Sequence, residues 1–221
     1  MAPRLSAGGR YIDLARVHRA REAYGHLIAK LRLRGYVVQT YQLPLIVADR
    51  RAHSTLFERL LGIVDVRGDE EVLMLYSSFV PSIGAGMIWS LAPDAQAIAI
   101  GITQADPNAG ADGIPLDWDE FSRDLLVASH FSHIVGMYNL EGCVQQGFLA
   151  RLKTMNWSQT VLIAAGSIRR ANTVRRVVSA VLWSLTLLPI IIIIALLLLA
   201  RLIWRWRRRR RRAKYILSEV G

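Results

Sequence analysis

The chain has 221 residues, with 28 Lys and Arg against 17 Asp and Glu, which gives a net charge of +11 at pH 7. This charge sits at one end: residues 1–168 carry 15 basic and 16 acidic side chains, whereas residues 169–221 carry 13 basic side chains and one acid, Glu219. A folded region of almost zero net charge argues against nucleic-acid binding, which needs a basic surface to neutralise phosphates. The single cysteine, Cys143, excludes an intrachain disulfide.

Helical and strand patterns alternate from residue 12 to residue 155. Apolar residues at helical spacing predict a first helix over 12–34, which Gly35 ends, so residues 1–34 form an N-terminal helical segment. Apolar or β-branched runs predict strands at 36–41, 72–77, 97–103 and 134–138, and helices at 51–63, 83–91, 117–130 and 144–155. Strands of this kind, separated by helices, are typical of a parallel sheet, so residues 35–168 are predicted to be an α/β domain.

The next segment, residues 169–206, is predicted to be a transmembrane helix with its flanks. Residues 177–200 contain no charged side chain, and a helix of that length would reach about 36 Å, enough for a bilayer core of about 30 Å. Trp183 and Trp204 bracket the run as interfacial tryptophans do. Pro189 lies in mid-span, where membrane helices tolerate proline.

The Arg-rich tail, residues 207–221, sets the predicted orientation. Nine basic residues follow the span and four precede it, and the richer side is expected to be cytoplasmic, in contact with anionic lipid headgroups. Residues 1–168 are then extracytoplasmic at a cell membrane. The first 21 residues have no apolar core of a signal peptide, so we expect the native protein to have a preceding segment that directs export.

Four stretches resemble a known family. YVVQTYQLPLIVAD, EEVLMLYSSFVPS, AIAIGIT and HIVGMYNLEGCVQQGFLARL, within residues 35–157, are similar to the last four βα units of a (β/α)8 barrel of glycoside-hydrolase-like type. The resemblance implies a half barrel, a hydrolase acting on glycosidic bonds when complete, and a carbohydrate ligand. Because such barrels close with eight strands, we expect no detectable catalysis from the four strands present here.

In such barrels the functional side chains follow the strands, which directs attention to a small set of polar residues. Glu141 and Asp49 are the predicted catalytic carboxylates, since glycoside hydrolysis uses two. The predicted substrate-binding residues are Tyr76, Ser77, Gln39 and Asn139, and other polar residues after the strands are Gln42, Ser78, Thr103 and Gln104. The alternative for Glu141 is a helix N-terminal carboxylate, and for Asp49 an N-cap.

Neither a metal nor a cofactor is predicted. No G-x-G-x-x-G or Walker A sequence follows a strand. The Asp- and Asn-rich loop at 105–120 fails the EF-hand spacing and is interpreted as a turn leading to a helix capped by Asp117. His130 and His133 are interpreted as helix-end residues, and Cys143 as a small buried residue.

Two functions remain open. The first is a membrane-anchored, barrel-derived domain of a hydrolase. The second is a non-catalytic, membrane-anchored domain that binds or scaffolds a partner. A pocket with two carboxylates within about 10 Å of each other would favour the first.

Overall fold

The computed structural model describes residues 14–104 and 114–218, and the side chains among them as far as residue 205. Four strands, β1 (Gln39–Gln42), β2 (Glu70–Met74), β3 (Ala97–Gly101) and β4 (Val135–Tyr138), form one sheet. Their order is β1-β2-β3-β4, and every neighbouring pair is parallel. The predicted α/β class and its four parallel strands are therefore confirmed, as an open sheet.

The helices follow the predicted order, with two differences. They are α1 (Leu14–Leu33), α2 (Pro44–Arg51), α3 (Leu56–Leu61), α4 (Gly84–Leu91), α5 (Trp118–Phe131), α6 (Leu140–Gln145), α7 (Phe148–Leu152) and α8 (Ala165–Ser218). The single helix expected over 51–63 is wrong: α2 starts at Pro44, which suits the first turn because it has no N–H to leave unpaired. The single helix expected over 144–155 is also wrong: α6 and α7 stand in its place, divided where Gly147 adopts a φ of 69°.

The two faces of the sheet have different surroundings. On one face, Leu73, Leu75, Ile98 and Ile100 join a core with residues of α4, α5 and α7. Because sequential parallel strands with right-handed crossovers place their helices on one side, this arrangement is the expected one. The other face carries a smaller buried cluster from β2 and β3, made of Val72, Ala97 and Ala99. Met74 of β2 and Tyr76, just beyond β2, pack against it.

We call this second face the tyrosine face, defined by Tyr41, Tyr76 and Tyr138 together with that apolar cluster. The register pairs Tyr41 with Val72 and Gly101 with Tyr138, and paired residues of parallel strands point to the same side. Tyr41 and Tyr138 are exposed there.

The first third of α8 packs against the domain. Ser167 contacts Gly86 at the start of α4, Asn172 accepts a hydrogen bond from Ser90 at its end, and Arg175 pairs with Asp94 just beyond it. α8 therefore runs parallel to α4, from the carboxyl edge of the sheet to the amino edge. The expected boundary between residues 168 and 169 falls inside α8.

The remainder of α8 leaves the domain. Leu182 is fully buried and the Thr186 hydroxyl donates to the Ala52 carbonyl at 3.2 Å, whereas every residue from 187 to 205 is exposed. α8 is long and apolar enough to cross a membrane, and it is the one such helix among the described residues. It continues through Pro189 to Ser218, while the side chains of the Arg-rich tail lie outside the described part.

Candidate functional site

Two tyrosines stack at the carboxyl end of the tyrosine face, and a third lies nearer the amino edge. Tyr41 pairs with Val72, four residues before Tyr76, and its hydroxyl donates to Gln39 Oε1 at 3.0 Å. The rings of Tyr76 and Tyr138 stack with centroids 5.6 Å apart and planes inclined by 21°, and Phe79 lies 6.0 Å from Tyr76. Tyr76 lies two residues after β2 and Tyr138 ends β4, so their side chains lie at the carboxyl edge, with β3 between them. Burial, with smaller contributions from Tyr138 and Tyr41, raises the pKa of Tyr76 to about 12. The Tyr76 phenol is therefore neutral at physiological pH.

Asp49 has a structural position. It lies in the last turn of α2, is 1% exposed, and its Oδ2 accepts hydrogen bonds from the backbone N–H groups of Phe57 and Glu58 at 2.6 and 3.1 Å. These are orphan donors of the first turn of α3, which a carboxylate satisfies well. Asp49 thus caps α3, the helix after its own.

Glu141 is exposed in the first turn of α6 and accepts a hydrogen bond from the Gln145 amide at 3.1 Å. β1 and β4, whose connections carry Asp49 and Glu141, are the two outer strands of the sheet. Three strand spacings of about 4.8 Å separate these strands by about 14 Å. Asp49, buried and bonded to α3, and Glu141, exposed on α6, therefore follow opposite outer strands and have different surroundings.

Asn139 is the N-cap of α6. Its Oδ1 accepts from the Gly142 N–H at 2.8 Å, and its backbone N–H and carbonyl both bond to the Thr103 hydroxyl, at 2.9 and 2.7 Å. These bonds connect the ends of β3 and β4. The Gln146 side chain donates to the Thr103 carbonyl and completes this contact.

Ser77 and Ser78 are buried rather than displayed at the edge. The Ser77 hydroxyl donates to Asp124 Oδ2, while Ser78 donates to the Gly101 carbonyl at 2.9 Å and accepts from the Ile102 N–H at 2.9 Å. Both hydroxyls therefore join the segment after β2 to its neighbours. The predicted substrate-binding residue Gln39 starts β1, at the amino edge, where its amide donates to Glu70 at 3.1 Å. It is at the opposite end of the sheet from Tyr76.

Asp124 is the buried carboxyl that the sequence interpretation missed. It is fully buried in α5, and its Oδ1 accepts from the Arg123 guanidinium at 2.9 Å. Burial raises its pKa, while the bonds from Ser77 and Arg123 act in the opposite direction. The signal was in the sequence: Asp124 shares the apolar stripe of α5 with Phe121, Leu125 and Ala128.

The remaining residues singled out by the sequence take part in packing or helix capping. Cys143 is fully buried, and burial raises the pKa of its thiol, the reverse of an activated cysteine. His130 stacks on Trp89 with centroids 5.7 Å apart. Asp117 caps α5 by accepting from the Glu120 N–H at 2.8 Å, as predicted. Among the described residues no group of His, Cys, Asp and Glu is arranged to hold a metal ion.

Comparison with known proteins gives no matching family model, no similar curated protein and no similar solved structure. The indications of function therefore come from the site itself. Its chemistry consists of neighbouring phenols and an apolar floor.

Proposed function

We propose that this chain is a single-pass membrane protein whose extracytoplasmic α/β domain binds carbohydrate on the tyrosine face without hydrolysing it. The observation that carries the proposal is the stacked pair Tyr76 and Tyr138 beside an apolar cluster, with Tyr41 exposed on the same face. A tyrosine offers an apolar ring face and a hydroxyl. A sugar ring offers the complementary pair, a face of C–H groups and a rim of hydroxyls.

The positions of the two candidate carboxylates support the proposed absence of hydrolysis. The two carboxyl groups of a glycosidase must both reach the same glycosidic bond. Asp49 is buried and used to cap α3, and Glu141 lies on the α6 surface beyond the far strand. This favours the non-catalytic alternative over an active hydrolase.

The sheet is further proposed to be half of a (β/α)8 barrel. The sequential strand order and the helices gathered on one face support this, because a barrel has the same topology. In a barrel the apolar cluster of the tyrosine face would pack inside, whereas Tyr76 and Tyr138 would lie at the mouth formed by the carboxyl ends of the strands. β1 and β4 would be the strands that pair with the other half. Exposed sheet edges of this kind otherwise invite aggregation.

Anchoring and orientation rest on α8 and its flanks. The exposed apolar run from residue 187 supports a span, and the excess of basic residues after it supports a cytoplasmic tail in contact with anionic lipids. A reporter enzyme active only in the cytoplasm, fused after Gly221, should be active in cells. Activity only of an externally active reporter at that position would contradict the orientation.

The binding proposal is tested by titrating the full chain in nanodiscs with soluble hexasaccharides of glucose, N-acetylglucosamine, xylose and mannose. We expect saturable binding of at least one, lost in Tyr76→Ala and Tyr138→Ala. Tyr24→Ala is the matched control, because Tyr24 is exposed on α1, away from the tyrosine face. No reducing ends should accumulate. Binding that survives both tyrosine substitutions, or no binding to any sugar, would refute the proposal.

A further inference from the structure

The path of α8 identifies the edge of the domain that faces the bilayer. Arg175 of α8 pairs with Asp94, three residues before β3 begins, so α8 has reached the amino edge of the sheet at that point. It continues past the end of α2, where Trp183 contacts the His53 ring edge-on at 6.3 Å and Thr186 bonds to Ala52. Beyond Thr186 it leaves the domain. If α8 spans the membrane, as proposed above, the amino edge faces the membrane. Tyr76 and Tyr138 then lie at the carboxyl edge, away from the membrane.

We infer that this amino edge is a membrane-docking surface that rests on an anionic bilayer. Its apolar members come from three segments that precede or lead into the strands. They are Leu33, Tyr36 and Val37 before β1, Leu60 and Leu61 at the end of α3, and Ile134 before β4, all exposed. Leu33 is 90% and Val37 74% exposed, and exposed apolar residues gathered at one edge are typical of a membrane-contact surface.

The charges at this edge are complementary to anionic headgroups. The acids there are neutralised by arginine: Asp65 and Glu71 pair with Arg50, Asp69 with Arg32, and Asp94 with Arg51 and Arg175. Glu70 is the exception, bonded to the Gln39 amide. Within the described residues, Lys30, Arg34 and Arg67 are exposed and make no ion pair with an acid. Basic residues close to an anionic surface attract it within a Debye length of about 8 Å.

The opposite, carboxyl edge carries charges of both signs. Apolar side chains such as Leu140 and Val144 are exposed there as well. Acids lie there, Glu141 in α6 and Asp117, Asp119 and Glu120 at the start of α5, but so do Arg151, over the Trp118 ring, and the exposed Arg169 and Arg170 near the start of α8. Neither hydrophobic exposure nor charge alone would choose between the edges. The exit of α8 selects the amino edge.

The test measures the depth of nitroxide labels on the full chain in vesicles of phosphatidylcholine and phosphatidylglycerol. Buried Cys143 leaves an introduced cysteine as the reactive thiol, and the unsubstituted chain is the labelling blank. Three single labels are compared: Val37→Cys at the amino edge, Leu140→Cys at the carboxyl edge with similar exposure, and Ile194→Cys inside the span. Collisions with oxygen report lipid, and collisions with a soluble nickel complex report water.

We expect the Ile194→Cys label to be shielded from nickel. The Val37→Cys label should be several-fold less accessible to nickel than the Leu140→Cys label. That difference should disappear when Arg34→Glu and Arg67→Glu are added. Equal accessibility at Val37→Cys and Leu140→Cys, with Ile194→Cys shielded, would overturn the docking surface while leaving the span intact. An unshielded Ile194→Cys label would overturn both the span and this inference. Carbohydrate binding is measured independently and fails separately.

Discussion

The packing of α8 on the domain depends on one glycine. Gly86 lies in α4, where a Cβ would sit 2.5 Å from the carbonyl carbon and 2.6 Å from the carbonyl oxygen of Ser167 in α8. An optimal contact needs about 3.5–4.0 Å, so Gly86→Ala must push the two helices apart by about 1 Å. The substitution also strains the hydrogen bond from the Gly86 N–H to the Ser167 hydroxyl, 3.2 Å in the native chain.

The expected magnitude combines two opposing effects. Overpacking costs about 1–3 kcal/mol and the weakened hydrogen bond about 1 kcal/mol, while alanine improves helix propensity by about 1 kcal/mol. We therefore expect Gly86→Ala to reduce the free energy of unfolding by about 2 kcal/mol. The matched control is Gly25→Ala, also in a helix, where an added Cβ meets nothing within 4 Å. That variant should be more stable than the native chain by about 0.5–1 kcal/mol.

Denaturant unfolding in detergent micelles, followed by tryptophan fluorescence, measures both variants, because Trp89 lies in α4 itself. Proteolysis of the segment between α7 and α8 gives a second readout, since undocking of α8 would expose it. If Gly86→Ala were as stable as Gly25→Ala, the close contact between α4 and α8 would be refuted.

Three further predictions concern the domain. Arg50 bonds to the carboxylates of Asp65 and Glu71, which raise its pKa, so Arg50→Met should lower the free energy of unfolding by about 3 kcal/mol. The control Arg34→Met, at an exposed side chain, should change it by less than about 0.5 kcal/mol. Equal effects of the two substitutions would contradict a stabilising role of the Arg50 ion pairs. Because burial raises the pKa of Asp124, native stability relative to Asp124→Asn should fall as pH rises from the unfolded pKa of about 4 through the raised folded value; a difference that rises with pH would reverse the argument. Absorbance titrations of the native chain and Tyr76→Phe should coincide through pH 10, where ordinary tyrosines ionise, and separate only near pH 12; separation near pH 10 would show an unburied phenol.

The strands were predictable because each is an apolar or β-branched run whose burial requires no knowledge of distant contacts. β3, with all five residues buried, is the clearest case. The start of α2 was missed because Leu43 and Pro44 look like a loop, although proline is common at the first position of a helix. The local rule for proline was available at Pro44 and was not applied.

The site was less predictable because its side chains are committed by long-range partners. Ser77 follows β2 as expected, but its hydroxyl bonds to Asp124, 47 residues away. The docking of α8 was also missed, although a stripe of helical spacing, Ala171, Val174, Val178 and Leu182, runs between the arginines. The long charge-free run, which overlaps the end of this stripe, masked the amphipathic segment of the same helix.

The tyrosine face is proposed to bind a sugar. Fluorine NMR of the full chain in nanodiscs, with 3-fluorotyrosine in place of its seven tyrosines and resonances assigned by single Tyr→Phe variants, tests it most directly. On adding the hexasaccharide that binds, we predict that the resonances of Tyr41, Tyr76 and Tyr138 shift while those of Tyr24 and Tyr36 stay in place. Shifts confined to Tyr24 or Tyr36, or no shift at Tyr76 and Tyr138 at saturation, would contradict the account.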